Sequence, residues 1–379
     1  MHYTILGGGI AGLTSAIALK KIGIEATVFE AAATIKPVGA GLVLAANAIK
    51  AYRRLGMAEK IIAKGQLLPT FKILRQNGKV LTSADARAIG QKYDLHNFAI
   101  HRAALHETLL TAISPEQVIT SKKAVGFDHR SGGKIEVLFA DGSTHLTDFL
   151  IVADGIHSAI RQQLLPDSKP RYAGYTCWRA VIENPGLALD AATETWGSKG
   201  RMGIVPLADN KIYFFACVNA PEQDPISRAY QVTDLQRIFQ DFHDPIPTIL
   251  QHTKDSDLIW NDIIDLKPIG QFAFNNIVLI GDAAHATTPN LGQGACQAIE
   301  DAVILAEELT KHMVPATAFA AFEKRRIPRT HYVVNTSWNL GRVAQWSNPW
   351  LAALRDTMFQ LIPERTNEKQ LKRLLEVDF

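Results

Sequence analysis

Two glycine-rich stretches far apart in the chain carry the residues best suited to chemistry, ILGGGIAGL (5–13) and GDAAHATTPNLGQGACQAIEDA (281–302). In the first, Gly7, Gly9 and Gly12 satisfy G-x-G-x-x-G. Gly7 permits a tight turn, Gly9 lets a pyrophosphate approach the backbone, and Gly12 lets a helix lie close to a strand. Glu30 closes the next apolar run, where an acid accepts hydrogen bonds from a ribose 2′-hydroxyl and disfavours a 2′-phosphate. In the second stretch, Asp282 can accept a hydrogen bond from a polyol hydroxyl, and Pro289 stiffens the loop. Gly292, Gln293 and Gly294, with Ala295 next, open a helix whose free N–H groups favour negative charge. An NAD dehydrogenase has no use for this second element. FAD does: its adenosine fits the first stretch, and its ribityl chain and isoalloxazine ring fit the second.

These groups need a scaffold, and the intervening sequence supplies one. HYTILGGGIAGLTSAIALKKIGIEATVFE reads as strand, turn, helix, turn, strand, with a helix over 11–22 ended by Gly23. FNNIVLIGDAAH reads as a buried strand over Ile277 to Ile280 that delivers Asp282 at its carboxyl end, where open α/β sheets bind ligands. TFKILRQNGKVLTS alternates on both sides of Asn77-Gly78, a hairpin signal. Between 171 and 265, strand-like runs such as YTCWRAVIE and NKIYFFACVNA surround a more helical piece near 230–251. They predict an antiparallel sheet that roofs the cofactor and forms a substrate wall. After Pro328 the chain reads as helical, with Trp338, Trp346 and Trp350 expected to pack this tail onto the body.

GGGIAG, the DG at 154–155 and GDAAH…P..GQG, in this order and spacing, resemble the class A flavoprotein monooxygenases, the aromatic-hydroxylase family, over nearly the whole chain. The resemblance implies an α/β fold: a Rossmann-like FAD-binding domain of the para-hydroxybenzoate hydroxylase kind, an inserted antiparallel substrate domain and a C-terminal helical tail. The expected division is 1–70, 98–170 and 268–325 for FAD, 71–97 and 171–267 for substrate, and 326–379 for the tail. The resemblance further implies that Asp154, after FLIVA, lies near the FAD pyrophosphate and bears on NAD(P)H use. Arg102 of HRAAL would contact FAD, and Ala124 of KKAVG would border the adenine through its backbone. The implied reaction has NADH or NADPH reduce FAD and O₂ form a C4a-hydroperoxyflavin. Oxygen then passes to a small aromatic or heteroaromatic, anionic substrate. The chain has no second glycine fingerprint for a nicotinamide, and the family likewise lacks a separate nicotinamide domain. NADH and NADPH both stay open.

Within the family, GSKGRMGIVPLADNKIYFFACV is similar to a stretch of the bacterial flavin-dependent urate hydroxylases in which an arginine and a tyrosine orient the ring, pointing to Arg201 and Tyr213. YAGY (172–175), IKPVGA (35–40) and TTPNLGQG (287–294) extend that similarity, whereas CWRAVI (177–182) departs from it. The departure offers Arg179 as a second anion clamp and Trp178 as a stacking face, so urate is one candidate ring among several. The alternative for Arg201 and Tyr213 is a cross-strand pair that stacks cation on ring. His285 reads as a residue that caps or packs near the flavin loop rather than as a base.

Composition sets the outer bounds. A chain of 379 residues exceeds one ordinary core, and 47% hydrophobic with 20% charged residues is globular. A net charge of +3 gives no reason to expect a nucleic-acid partner, and EKRRIPR (323–329) reads as a solvated helix end. Cys177, Cys217 and Cys296 fit no metal spacing, which suits a reduced cytoplasmic setting. Met1-His2-Tyr3 leads straight into a strand with no room for a signal peptide, and no apolar run reaches the ~20 residues that cross a bilayer. The expected partners are therefore a small-molecule substrate, O₂ and NAD(P)H, with no metal, nucleic acid or membrane. The rival readings are an FAD reductase or oxidase that inserts no oxygen, and a flavin-binding protein without catalysis.

Overall fold

The computed structural model describes residues 1–34, 40–85, 97–361 and 364–379, so IKPVGA lies outside the described residues except for Ala40. Two sheets organise the chain. The first has six strands in the order Ala273–Phe274, Ile277–Leu279, Phe149–Val152, Tyr3–Leu6, Ala26–Phe29, Val118–Ile119. All neighbours are parallel except the short edge hairpin at 273–279. Tyr3–Leu6, Phe149–Val152 and Ile277–Leu279 are buried at every position, as continuous apolar runs in a parallel sheet covered on both faces should be. The helix Ile10–Lys21 is buried over its first ten residues and packs against both this sheet and the helix Gly294–Lys311. The sequence therefore read the opening strand–helix–strand and the late strand correctly.

The second sheet has seven strands in the order Ile259–Leu266, Pro170–Glu183, Lys211–Asn219, Arg201–Leu207, Ala192–Trp196, Thr70–Arg75, Val80–Asp85. The hairpin around Asn77-Gly78 joins it, Gly78 taking φ +83°. Its strand Thr70–Arg75 lies parallel to Ala192–Trp196, so the expected antiparallel sheet contains one parallel pair. One face of this sheet, with Trp178, Met202, Ile204 and Phe214, is covered by the helices Val232–Ile238 and Ile246–Gln251 through Leu235, Phe239 and Ile249. The other face turns toward the loops of the first sheet. Strand alternation puts Trp178 on the helix-covered face, where it stacks on Tyr230 at 5.5 Å and 10°. It is not a stacking face for a ligand in the cleft.

The tail departs from expectation in two places. The helix Pro315–Ala344 runs straight through Pro328, and EKRRIPR is no solvated end. Arg326 is fully buried, pairing with Glu300 and Asp301 at 2.6 Å each, and Arg329 joins Glu300 at 2.6 Å. Arg326 and Arg329 are three residues apart on one helix face, and their acids lie on a neighbouring helix whose proximity only the fold reveals. Trp338 does pack, lying under the Arg171 guanidinium at 3.6 Å. Trp350 does not: it is 85% exposed, because the helix Pro349–Leu361 seats itself through Ala352, Arg355 and Phe359 on its opposite side. Trp346 is half-buried. Among the described residues, no helix is long and apolar enough to cross a membrane and no cluster could hold a metal ion.

Candidate functional site

Register places the sequence motifs together. Leu6 pairs with Phe29 and Val152, and Val152 with Leu279, so the parallel strands end at one level. From that edge rise Gly7–Gly9, Glu30, Asp154-Gly155 and Gly281-Asp282, although up to 275 residues separate them in sequence.

At the first loop, Gly7 takes φ +101°, and a Cβ there would lie 2.3 Å from the Ala153 carbonyl oxygen. A Cβ on Gly12 would lie 1.9 Å from the Gly7 oxygen, so the helix sits directly on the turn. Glu30 shapes the loop as well as facing it, accepting the Gly8 N–H at 2.6 Å and the Ala32 N–H at 2.8 Å. The N-cap Gly9 carries no side-chain cap, leaving the helix start free for an anion. Lys122 N–H bonds the Glu30 carbonyl at 2.8 Å, which brings the start of strand Ala124–His129 beside the same loop.

Asp154 follows the neighbouring strand. Ser158 bonds its carboxyl, but Oδ1 is buried without a partner, and burial pushes the carboxyl up to about 6. An orphaned acceptor in this position fits a polar ligand that the protein alone does not supply. Arg161 was not singled out from the sequence, yet it holds this region. Fully buried, it donates to the Ile156 carbonyl at 2.6 Å, the Ala283 carbonyl at 3.3 Å and Ser168 Oγ at 3.2 Å. One side chain thus joins the Asp154 loop to the Asp282 loop. Its sequence signal was the helix cap Ser158 three residues ahead, just after Asp-Gly.

At the late loop, a Cβ on Gly281 would meet Ala11 Cβ at 2.8 Å, so this turn rests on the first helix. Gly281 N–H donates to Asp301 Oδ2 at 2.7 Å, and His285 Nε2 meets the same oxygen at 2.6 Å. His285 is therefore a buried partner of Asp301, consistent with packing rather than catalysis. Asp282 opens onto the cleft, yet the surrounding walls displace enough water to push its carboxyl up. His285 and Arg102 oppose that shift, which places Arg102, exposed at the start of helix Arg102–Leu110, on the same cleft. Pro289 begins a single 3₁₀ turn and Gly292 takes φ +61°. The long helix begins at Gly294 with Ala295 in its first turn, later than the expected start at Gly292, and no side chain caps it. Gln293 is buried, accepting from Asn47 and Gln297 at 3.0 Å each, so only its backbone faces the cleft. The two close-packed glycine turns, the two uncapped helix starts and the orphaned Asp154 oxygen fit FAD.

The seven-stranded sheet turns Tyr175, Cys177, Arg179, Arg201, Tyr213, Phe215 and Cys217 toward this cleft. Arg201 and Tyr213 are not a cross-strand pair. Arg201 is opposite Cys217 and Tyr213 opposite Val205, and the Arg201 guanidinium lies over Tyr175 at 5.1 Å. Arg201 is 2% exposed and its charge is balanced by Glu194 at 2.8 Å, which also accepts from Trp196 at 2.9 Å. Its other amino group donates to Asn290 Oδ1 in the flavin loop. It is not placed as an open clamp for an anion. Glu194 and Asn290, which complete this network, went unnoticed in the sequence. Arg179 differs: it is half-buried, lies beside Cys177 and Tyr213, and among the described residues has no carboxylate within ion-pair distance. The cation raises its own pKa mainly through Cys177, while burial pushes the Tyr213 phenol up.

A parallel sheet whose carboxyl edge is built for FAD, faced by a mostly antiparallel wall, is the architecture of the para-hydroxybenzoate hydroxylase-like FAD-dependent monooxygenases. The chain belongs to the FAD-binding-domain family FAD_binding_3, whose profile matches residues 2–337. It is 35% identical over 376 residues to aurachin C monooxygenase/isomerase of Stigmatella aurantiaca, spanning 98% of this chain and 97% of that protein. It is 31% identical over 382 residues to 2-heptyl-3-hydroxy-4(1H)-quinolone synthase of Pseudomonas aeruginosa, spanning 99% and 97%. Its fold superposes with a TM-score of 0.91 on Klebsiella pneumoniae HpxO complexed with FAD and uric acid, at 27% identity over 99% of this chain and 97% of that one.

Proposed function

We propose that this enzyme uses NADH or NADPH and O₂ to hydroxylate a fused heteroaromatic ring that carries an exocyclic oxygen, of the 4-quinolone kind, in the cytoplasm. The observation that carries the substrate class is Arg179, a half-buried cation on the cleft wall with no carboxylate partner among the described residues. An exocyclic oxygen that takes up negative charge would pair with it. Tyr213 lies beside Arg179 and would donate to the same oxygen. Holding that oxygen in its anionic form keeps the ring electron-rich, which favours attack on an electrophilic oxygen. Arg201 is a positioning residue in this reading: paired with Glu194, it holds Asn290 and so the flavin loop.

FAD, when bound, supplies hydride acceptance and oxygen activation; the chain supplies placement. The loop at Gly7–Gly9 and the helix start behind it, seated on the turn at Gly12, would receive the pyrophosphate, Glu30 the ribose, and the backbone at Ala124 the adenine edge. Arg102, Asp154 and Asp282 would hold the middle and ribityl portions. Gln293, Gly294 and Ala295 would present backbone N–H groups to the ring edge that becomes anionic on reduction, while Pro289 and Gly292, tied by the Gly292 N–H to the Pro289 carbonyl, shape the loop.

The test is product formation under ¹⁸O₂ by flavin-loaded protein with NADH or NADPH and a panel of a 2-alkyl-4-quinolone, urate and salicylate. The quinolone should gain one labelled oxygen and stimulate NAD(P)H oxidation most. Turnover of urate alone would overturn the substrate class. Unlabelled product without oxygen consumption would indicate a reductase.

A further inference from the structure

Cys177 and Cys217 face each other in adjacent antiparallel strands of the wall. Directly opposed residues in such strands hold their Cα atoms about 4.5–5.5 Å apart. A disulfide spans about 4.4–6.8 Å, so no strand need move to join them. Both thiols are free and buried, and the Cys177 thiol donates to the Trp178 carbonyl at 3.5 Å. Cations flank the pair on both sides: Arg201 is opposite Cys217 on the next strand, and Arg179 contacts Cys177. We propose that Cys177 and Cys217 are a peroxide-oxidisable dithiol, converted to a disulfide within the substrate wall.

The chemistry balances with hydrogen peroxide as the oxidant. Cys177 sulfur attacks one peroxide oxygen; an S–O bond forms, the O–O bond breaks, and hydroxide leaves with a proton as water. Cys177 becomes a sulfenic acid and the peroxide is reduced. Cys217 sulfur then attacks Cys177 sulfur, the S–S bond forms, the S–O bond breaks, and a second water leaves with the Cys217 proton. Two thiols and one peroxide give one disulfide and two waters. Cys177 is the attacking sulfur. Burial alone would raise its pKa, but the adjacent Cys217 thiol and the guanidiniums of Arg179 and Arg201 outweigh it and lower it. Cys217 is shifted upward by the adjacent Cys177 and by burial, which suits the resolving partner. Cys296 is a control within the chain: it faces no second cysteine, and burial pushes its thiol up to about 12 despite the opposing pull of Arg329.

Flavin-loaded protein, fully reduced and freed of reductant, is treated with a small excess of hydrogen peroxide, quenched in acid and alkylated. Peptide mapping should show Cys177 joined to Cys217 with Cys296 still alkylated, and dithiothreitol should reverse the link. In Cys217→Ser, a dione probe for sulfenic acid should label Cys177; in Cys177→Ser it should leave Cys217 unlabelled. Retained flavin absorbance verifies that each variant is folded. Free Cys177 and Cys217 after treatment in folded wild-type protein would overturn the proposal. So would oxidation of Cys296 at the same rate as the pair.

Discussion

Replacing Asp154 with Asn tests the fit of the flavin site without touching its glycines. In the protein without flavin, burial pushes the Asp154 carboxyl up to about 6 from an ordinary 3.8, against the pull of Ser158 and Arg161. A carboxyl raised on folding weakens the fold where it must be charged. The folded state therefore carries no penalty below pH ~4, where Asp154 is neutral folded or unfolded. The penalty grows from there up to pH ~6 and is fully present above it. A shift of about two units at about 1.4 kcal/mol each sets an upper value near 3 kcal/mol, and partial solvent access brings the expectation to about 1–3 kcal/mol. Asn keeps a side chain of the same shape and removes the charge.

Flavin-free Asp154→Asn should therefore be more stable than wild type at pH 8 by about 1–3 kcal/mol, the gain fading through pH 6 and gone near pH 4. Urea unfolding across that range measures it. With FAD the order should reverse, because the bare Oδ1 acquires a partner in wild type. Loss of that charge-assisted bond should weaken FAD binding by about 1–3 kcal/mol, roughly 5- to 150-fold in Kd. A stability difference that does not change with pH would refute the burial argument. Unaltered FAD affinity would refute the assignment of the orphaned oxygen to the cofactor.

Asp282→Ala should lower FAD affinity by about 1–3 kcal/mol, since a ribityl hydroxyl would lose its acceptor; unchanged flavin content after purification would count against that contact. Arg201→Ala leaves Glu194 buried and unpaired, so a stability loss of about 3–5 kcal/mol is expected. Arg201→Gln should lose the ion pair with Glu194 and loosen the hold on Asn290, keeping FAD while releasing more peroxide per NAD(P)H oxidised, and full coupling in that variant would free Arg201 from any role in turnover. Arg326→Met strips Glu300 and Asp301 of a shared buried cation and should cost about 3–5 kcal/mol in chemical unfolding; wild-type stability would mean that Arg329 and His285 suffice.

Local rules made much of the flavin half legible. A glycine turn, an acid at a strand end and a strand–Gly-Asp sequence each announce themselves within a few residues, and parallel register then gathers them. The hairpin at Asn77-Gly78 was readable for the same reason. Partner identity was not. Arg201 looked like a free cation because Glu194 and Asn290 reach it only through sheet pairing and domain contact. Arg326 looked solvated because Glu300 and Asp301 lie on another helix. The choice between Trp178 and its neighbours Cys177 and Arg179 as cleft residues depended on strand parity, which a one-residue slip inverts. The register shift between Tyr172 and Thr176 in that strand hides the parity from any count along the sequence. Arg161 left a faint mark, because its partners are carbonyl oxygens that any residue can provide.

Asn290 shows why the two halves of the site act together. Its side-chain oxygen accepts from Tyr175 at 3.1 Å and from Arg201, and its amide donates to Thr288 Oγ1 at 2.8 Å and to the Ser337 carbonyl at 2.9 Å. Two acceptor sites and two donors are all an amide side chain offers, so none is left for a ligand. Its function is therefore mechanical: it fixes the loop at Pro289–Gly292 to the wall on one side and to the long C-terminal helix on the other. Arg161 does the same between the Asp154 and Asp282 loops. Buried, saturated polar groups of this kind have one low-energy arrangement, and a partial break leaves orphans that cost more than the bond itself. The distance between a ring held at Arg179 and a flavin held at Asp282 is then set by these side-chain clamps. Substitutions at Arg201 should consequently alter how efficiently reducing equivalents reach product before they alter how tightly either ligand binds.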